Sequence, residues 1–274
     1  MSTNVSSSYD RKIYNDTLWK RHGAPSSLDD YLFKAQIMDY EATRAQFEAV
    51  SSFWNTEWPA TGLIYWRLNN ALPSLHWNLF DYSLHPAGTY YGAKVGARKE
   101  HLAYDYLKKG VYLINHTIDQ NGSRKAVTTE PNTNKHIIDL SKPLKSINEV
   151  TFLRLTLQDG KQATLSRNVY WLAKTIDTLD WDSSGWFYTP VTEYADFTSL
   201  NKLQTANISV SCGTSKGGFN LVTSEGADVP PVMWSDNYVT LWPHEKLEVH
   251  LEGMGDAAVE ISGKNIGKTV FPLQ

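Results

Sequence analysis

Apolar residues along the first hundred positions change their spacing twice. Leu28, Tyr31, Leu32, Ala35, Met38, Ala42, Ala45 and Ala49 recur at three- and four-residue intervals, the spacing of one face of a helix. Ser27 stands where an N-cap belongs, with Asp30 three residues on, so this amphipathic helix is predicted to start there. Its alanines would let it lie close against a sheet. A shorter helix is expected over residues 10–22, with Asp10 as cap, Ile13, Tyr14 and Leu18 on one face, and Gly23-Ala24-Pro25 ending it. After Trp58-Pro59 the helical spacing gives way to Leu63-Ile64-Tyr65-Trp66. A run without alternation predicts a strand buried on both faces, as in a parallel sheet covered by helices. Asn69, Asn70, Pro73, His76, Trp77, Asp81, His85 and Pro86 follow, a stretch too rich in amides, aromatics and turn formers to be core. A polar loop at the end of a buried parallel strand is where α/β barrels place their sites. Residues 94–106 read as mixed or helical.

From Lys109 the period shortens. Residues 110–115, 150–157 and 163–172 read as strands, the last two joined by Gln158-Asp159-Gly160-Lys161, a hairpin signal. Asp119-Gln120-Asn121-Gly122 reads as a turn, and residues 125–145 carry few strand signals beyond His136-Ile137-Ile138. Residues 181–203 hold Trp186, Tyr188, Tyr194 and Phe197, too many aromatics for a free linker, so they are expected to pin it to its neighbours. Seven short strands are then expected, at residues 207–211, 218–222, 233–234, 238–241, 246–251, 257–261 and 269–271, with Gly, Pro and Asp between them.

At 274 residues the chain has room for two or three domains. Its net charge of -3 provides no basic field for nucleic acid or an anionic membrane, and no apolar run is long enough to span a bilayer. Cys212 is the sole cysteine, so no intrachain disulfide is possible and the compartment is not fixed by cysteine usage. The opening MSTNVSSSYDRK lacks the pattern of a secretory signal. Sequons at Asn4, Asn15, Asn115, Asn121 and Asn207 are compatible with secretion. The 10 Trp and 15 Tyr are the unusual feature; they fit both β-sandwich cores and a carbohydrate-handling protein.

The chemistry-bearing candidates cluster after the apolar run. Trp66 with Asn69 and Asn70 suits a sugar, because an indole face stacks on C–H groups while amides bond hydroxyls. Trp77 and His76 would shape or underlie the rim, and Asp81 is expected to orient Trp77 or an amide. Glu41, Glu48 and Glu57 read as helix-surface or loop charges. A retaining glycosidase needs two carboxyls about 5 Å apart from different strand ends. No Asn-Glu dipeptide follows an apolar run here, and neither metal-ligand spacings nor a phosphate loop occur. No cofactor or metal is expected.

The words TGLIYW, LNNA, PSLHWNLFDY, HPAG and YYGAKVGAR, with GAPSSLDDYLFKAQIMDYEATRAQFEA upstream and VMWSDNYVTLWP near the end, resemble glycoside hydrolase family 2, specifically its chitosan-degrading exo-β-D-glucosaminidases. The endo-β-mannosidases of that family have similar C-terminal modules. The resemblance implies a mixed fold: an incomplete C-terminal part of a (β/α)8 barrel over residues 1–107, followed by a shortened immunoglobulin-like β-sandwich at 108–178. An aromatic linker at 179–205 and a second immunoglobulin-like sandwich at 206–274 complete it. Trp66 would line the sugar subsite, preceding a cis peptide, with Asn69, Asn70 and Trp77 completing substrate binding. Both catalytic carboxylates would lie on earlier barrel strands, so the chain by itself would not hydrolyse glycosides. The implied partners are a glucosamine oligosaccharide and the N-terminal part of the enzyme, and the implied location is extracellular. Arg67, Leu72 and Ser83 stand where the family usually has Met, Trp and Tyr. The leading alternative is a non-catalytic carbohydrate-binding or structural β-sandwich protein; a β-mannosidase-type hydrolase is the other.

Overall fold

Helix α1 (Lys12–His22) packs across helix α2 (Leu28–Ser52) through Leu18, Ala35 and Met38. The computed structural model describes residues 11–54, 56–73, 78–117, 130–186, 188–210, 220–222, 233–252 and 258–272. The Asp10 cap, the turn at 119–122, His76, Trp77 and Cys212 lie outside them. Helix α2 starts where its sequence dictates. The Asp30 N–H donates to Ser27 Oγ at 3.1 Å, while Asp30 Oδ2 accepts from the Ser26 N–H at 2.9 Å and pairs with Lys34 at 2.8 Å. Open amides at a helix start are satisfied in this way.

Helix α3 (Gly88–Gly96) lies directly on α2. The physical reason is a ridge of Gly88, Gly92 and Gly96, which four-residue spacing puts on one face. A Cβ at Gly92 would sit 2.4 Å from the Tyr40 carbonyl oxygen, and one at Gly88 would sit 2.1 Å from that of Gln36. The two helix backbones are therefore in contact, which no other residue at these positions permits.

The chain then becomes antiparallel sheet. Strands β1 (Glu100–Asp105), β2 (Gly110–Asn115) and β3 (Thr133–Asp139) form one sheet in that order, and β4 (Val150–Gln158) with β5 (Thr164–Ala173) forms a second. The segment at 94–106, expected as mixed or helical, divides into the end of α3 and β1, and the sheet thus begins before residue 108. Strand β3 is longer than its His136–Ile138 signal and mostly exposed; its pairing to β2 supplies the order that its side chains do not. The β4–β5 turn forms as its sequence predicts, with Asp159 Oδ1 accepting from the Lys161 and Ala163 N–H groups at 2.8 and 2.9 Å. Tyr104, Val111, Tyr170 and Leu172 are buried together between the two sheets.

A charged network joins α2 to this sandwich. Arg44 is 0% exposed. Its guanidinium donates to Asn168 Oδ1 at 2.9 Å, to the Val169 carbonyl and to Glu41, and lies 4.1 Å over the Tyr170 ring. Glu48 accepts from Asn168 Nδ2 at 2.6 Å and from Tyr170 Oη at 2.8 Å. Glu41 also accepts from Tyr106 Oη at 3.2 Å. Glu41 and Glu48 are thus not surface charges as expected; of the three only Glu57 is exposed. Burial pushes the Glu48 carboxyl up to about 7, against the opposing pull of Arg44.

Residues 178–202 are less a linker than a fitted strap. Strands β6 (Thr178–Leu179) and β7 (Val191–Glu193) pair, Phe197 stacks on His22 at 5.4 Å, and Lys20 Nζ sits 4.8 Å from the Tyr194 ring. Trp186, expected as a pin, is instead 92% exposed. Beyond it, strands β8 (Asn220–Val222), β11 (Ala258–Gly263) and β12 (Ile266–Pro272) form one antiparallel sheet, and β9 (Met233–Trp234) pairs with β10 (Leu251–Glu252). The strands expected at 238–241 and over most of 246–251 do not form, and the described part of 207–211 is likewise not strand. Tyr238 and His244 have φ of 56° and 63°, which breaks a ladder. Arg167 takes the Thr240 carbonyl and grips Glu245 with two bonds of 2.8 and 2.7 Å. Those bonds, with Arg154 at 3.1 Å, hold the Glu245 carboxyl down at about 2.

The stretch Leu63–Trp66, expected as a strand buried on both faces, is the main correction. It joins no sheet among the described residues, and Ile64 is 96% exposed. Leu63 and Tyr65 are partly buried, the Tyr65 ring 6.4 Å from that of Phe47. A strand persists where neighbours take up its backbone N–H and C=O groups, and no described strand stands beside this one.

Arg44→Leu is expected to leave Glu41 and Glu48 buried without their cation and to lower stability by ~3–5 kcal/mol in denaturant titrations. Glu48 binds its proton more tightly folded than unfolded, where its ordinary value is 4.5. Its contribution is therefore complete below about 4.5 and is lost as pH rises through about 7. Glu48→Gln should make stability fall less steeply over that window, as thermal melts across pH would measure; Glu41, Asp39 and Asp236, also raised by burial, contribute to the slope that remains. Gly92→Ala should cost ~1–3 kcal/mol by overpacking, against the gain that alanine usually brings to a helix.

Candidate functional site

The loop from Trp66 to Ala87 is the candidate site, and local bonds order its described residues, 66–73 and 78–87. Its two arms are clipped where the Leu79 N–H meets the Arg67 carbonyl at 3.3 Å and the Phe80 N–H meets the Leu68 carbonyl at 2.9 Å. The outer arm folds back on itself, the Ala87 N–H donating to the Leu79 carbonyl at 2.9 Å. Asp81 holds the tip: Oδ1 accepts from the His85 N–H at 2.9 Å, and Oδ2 lies 3.1 Å from His85 Nδ1. The expectation that Asp81 orients an amide matches this arrangement. Its oxygens are committed to the turn, so it is poorly placed to act as an acid or base.

Helices α2 and α3 fix the base of the loop. The Gly88 N–H donates to Gln36 Oε1 at 2.6 Å, and Thr89 Oγ1 donates to the carbonyl of buried Asn78. The Phe80 ring rests 5.1 Å from that of Tyr90. At the other end, burial raises the pKa of the Tyr65 hydroxyl against a hydrogen bond with Thr43 on α2.

On this frame Trp66 is 72% exposed, and the peptide bond that follows it, to Arg67, is cis. Arg67 and Asn69 are at the surface beside it, whereas Asn70 is only 6% exposed. Leu68 and Leu72 are exposed on the same stretch. Three of the four predicted site residues therefore lie on one short arc, two of them open to a ligand; Trp77 is outside the described residues. An exposed indole beside an amide and a cation can stack and hydrogen-bond a polar ring. Glu41 is paired with Arg44 and Glu48 is held by Asn168 and Tyr170, and among the described residues no group of three His, Cys, Asp or Glu stands ready for a metal. Nor is any described helix long and apolar enough to cross a membrane.

Reading of the sequence missed the supports of this loop. Gln36, Thr89 and Asn78 act through single bonds that no spacing announces. The Gly88–Gly92–Gly96 ridge is different: its four-residue repeat is a signal that would have marked close helix packing.

The family profile described as the exo-beta-D-glucosaminidase Ig-fold domain matches residues 186–219 and 216–266. The exo-beta-D-glucosaminidase of Hypocrea jecorina is 50% identical over 322 aligned positions, which cover 100% of this chain and 36% of that protein. The alignment is longer than the chain, so the relative carries residues that this chain lacks. The crystal structure of the Amycolatopsis orientalis exo-chitosanase CsxA superposes with a TM-score of 0.82 at 31% identity, covering 96% of this chain and 37% of that one. A β-D-mannosidase from Dictyoglomus thermophilum, at 13% identity and a TM-score of 0.60, shares the fold alone. The chain is thus a homologue of the exo-β-D-glucosaminidases, alike along its whole length and spanning 36% of the first of them.

Proposed function

We propose that this chain supplies one wall of the sugar subsite of an exo-β-D-glucosaminidase, with Trp66 as its stacking platform. The observation that carries the reading is an indole held 72% exposed beside an arc whose described residues are fixed by seven named backbone and side-chain bonds. An exposed tryptophan on a mobile loop would lose its stacking energy to ordering; a pre-formed one keeps it. Asn69 and Trp77 would complete the rim, and buried Asn70 would hold the loop backbone. In this reading residues 1–107 are the last part of a (β/α)8 barrel, and the β-modules that follow are immunoglobulin-like. The two catalytic carboxylates belong to the rest of the enzyme. Trp58, Ile64, Trp66, Leu68 and Leu72, all exposed here, would face that remainder, which both covers their apolar surface and supplies the neighbours that Leu63–Trp66 lacks. Glucosamine released from the non-reducing end of chitosan oligosaccharides, outside the cell, is the corresponding reaction.

The test is a chimera in which this chain replaces the matching third of the Hypocrea jecorina relative. The folded chimera is expected to hydrolyse a nitrophenyl β-D-glucosaminide, and to prefer it over the β-D-mannoside. The isolated chain is expected to hydrolyse neither. Trp66→Ala should change the stability of the isolated chain by less than ~0.5 kcal/mol, since the residue is exposed, yet lower kcat/KM of the chimera about tenfold or more, the scale of a lost stacking contact of ~1.5 kcal/mol. Hydrolysis by the isolated chain, or a chimera selective for the mannoside, would overturn the proposal.

A further inference from the structure

We propose that Tyr238, in the C-terminal segment, is a positioning residue for the Trp66 loop, so that the far end of the chain sets the geometry of the candidate subsite. The sugar-binding meaning of this link rests on the reading above; the mechanical link stands on contacts alone. Tyr238 is separated from the loop by about 150 residues of intervening sandwich and strap, yet it reaches it by two routes. The first is a ladder of rings. Tyr238 lies 6.0 Å from Tyr91, Tyr91 lies edge-on 5.1 Å from Tyr90, and Tyr90 lies 5.1 Å from Phe80. The Phe80 N–H then donates to the Leu68 carbonyl, two residues from Trp66. The second route is polar. Tyr238 Oη lies 3.5 Å from Gln36 Oε1, the oxygen that accepts from the Gly88 N–H at the loop's exit.

Three further observations indicate that this contact is built rather than incidental. Tyr238 is held at φ 56°, a conformation bulky side chains rarely adopt, which persists only where the surroundings impose it. Asn237 Oδ1 accepts from its N–H at 2.8 Å and stabilises that turn. The flanking segment is tied to α3 by Lys94 Nζ on the Trp234 carbonyl at 3.0 Å and to the residues just after it by Arg98 with Asp236 at 3.6 Å. Trp234 and Val249 pack with Tyr40, Tyr91 and Val95 into one cluster under Tyr238. Because glycines bring α3 into backbone contact with α2, α3 has no freedom to absorb a shift. Displacement of Tyr238 is therefore transmitted to Tyr90 and Phe80 instead of being taken up between the helices.

Hydrogen–deuterium exchange on the isolated chain tests the link without requiring sugar binding. In Tyr238→Leu, the amides of Leu79, Phe80 and Ala87 are expected to exchange at least tenfold faster, while those paired between β4 and β5 stay within twofold of the parent. Tyr238→Phe keeps the ring ladder and should restore most of the protection. Phe80→Leu cuts the ladder at the loop end and should produce the same loop opening, with little added by Tyr238→Leu in the double variant. Unchanged loop exchange in Tyr238→Leu, or equal loosening of β4 and β5, would overturn the proposal. If the loop opens as expected but kcat and KM of the Tyr238→Leu chimera match its parent, the mechanical link stands and the sugar-subsite reading of the loop fails.

Discussion

Arg44 occupies a position that a helix surface would normally give to water. Its charge is sealed between α2 and β5, and everything around it is arranged so that this charge is tolerable: Glu41 as counterion, Asn168 and the Val169 carbonyl as acceptors, the Tyr170 face beneath. A buried cation is several kcal/mol unfavourable unless its partners are complete. The consequence is architectural. Helix α2 and the sandwich can meet in one register only, because any slip would strand a charge. The same helix carries Gln36 and Tyr40 toward α3 and the C-terminal segment, so the orientation set at Arg44 is inherited by the loop that bears Trp66.

That inheritance runs through unusually close contacts. Van der Waals packing at backbone distance is stiff, and the glycine ridge of α3 leaves no side chain to rearrange between it and α2. The C-terminal segment adds Trp234, Tyr238 and Val249 to the same cluster. Helical layer, sandwich and terminal segment thus form one continuous set of contacts and not three beads on a string. Glu245, gripped by Arg167 and Arg154, closes the set on the far side of β5. The C-terminal segment therefore touches the helices on which the candidate loop stands.

The exposed aromatic and aliphatic residues at 58–72 are the counterpart of this order. Trp58, Ile64, Trp66, Leu68 and Leu72 are mostly exposed, while named bonds hold the described residues of the loop beside them. An exposed apolar surface of this kind is suited to contact, and the chain spans only 36% of the first of its relatives.

What the sequence determined by itself were the features that depend on neighbours in the chain. The Ser27–Asp30 cap, the helical span of α2, the Asp159 turn and strands β4 and β5 are local and were legible from spacing. So were Trp66, Asn69 and Asn70 as a group, because a loop's composition reports its polarity. The buried face of α2 was not: of the expected stripe Ala35 and Met38 are buried, whereas Leu28, Leu32, Ala42 and Ala49 are exposed and Lys34, Tyr40, Arg44 and Glu48 face inward. Tertiary structure decided everything that depends on residues far apart. Glu48 read as a surface charge since its partner Asn168 lies 120 residues away, and Glu41 since Tyr106 lies 65 away. Residues 238–241 read as strand because propensity cannot see that Arg167 takes their carbonyl and that Tyr238 is turned to a positive φ. Leu63–Trp66 carries the pattern of a buried strand, and pattern states only what a segment would do beside suitable neighbours; a strand is a property of the pair, and the pairing is not written in either member alone.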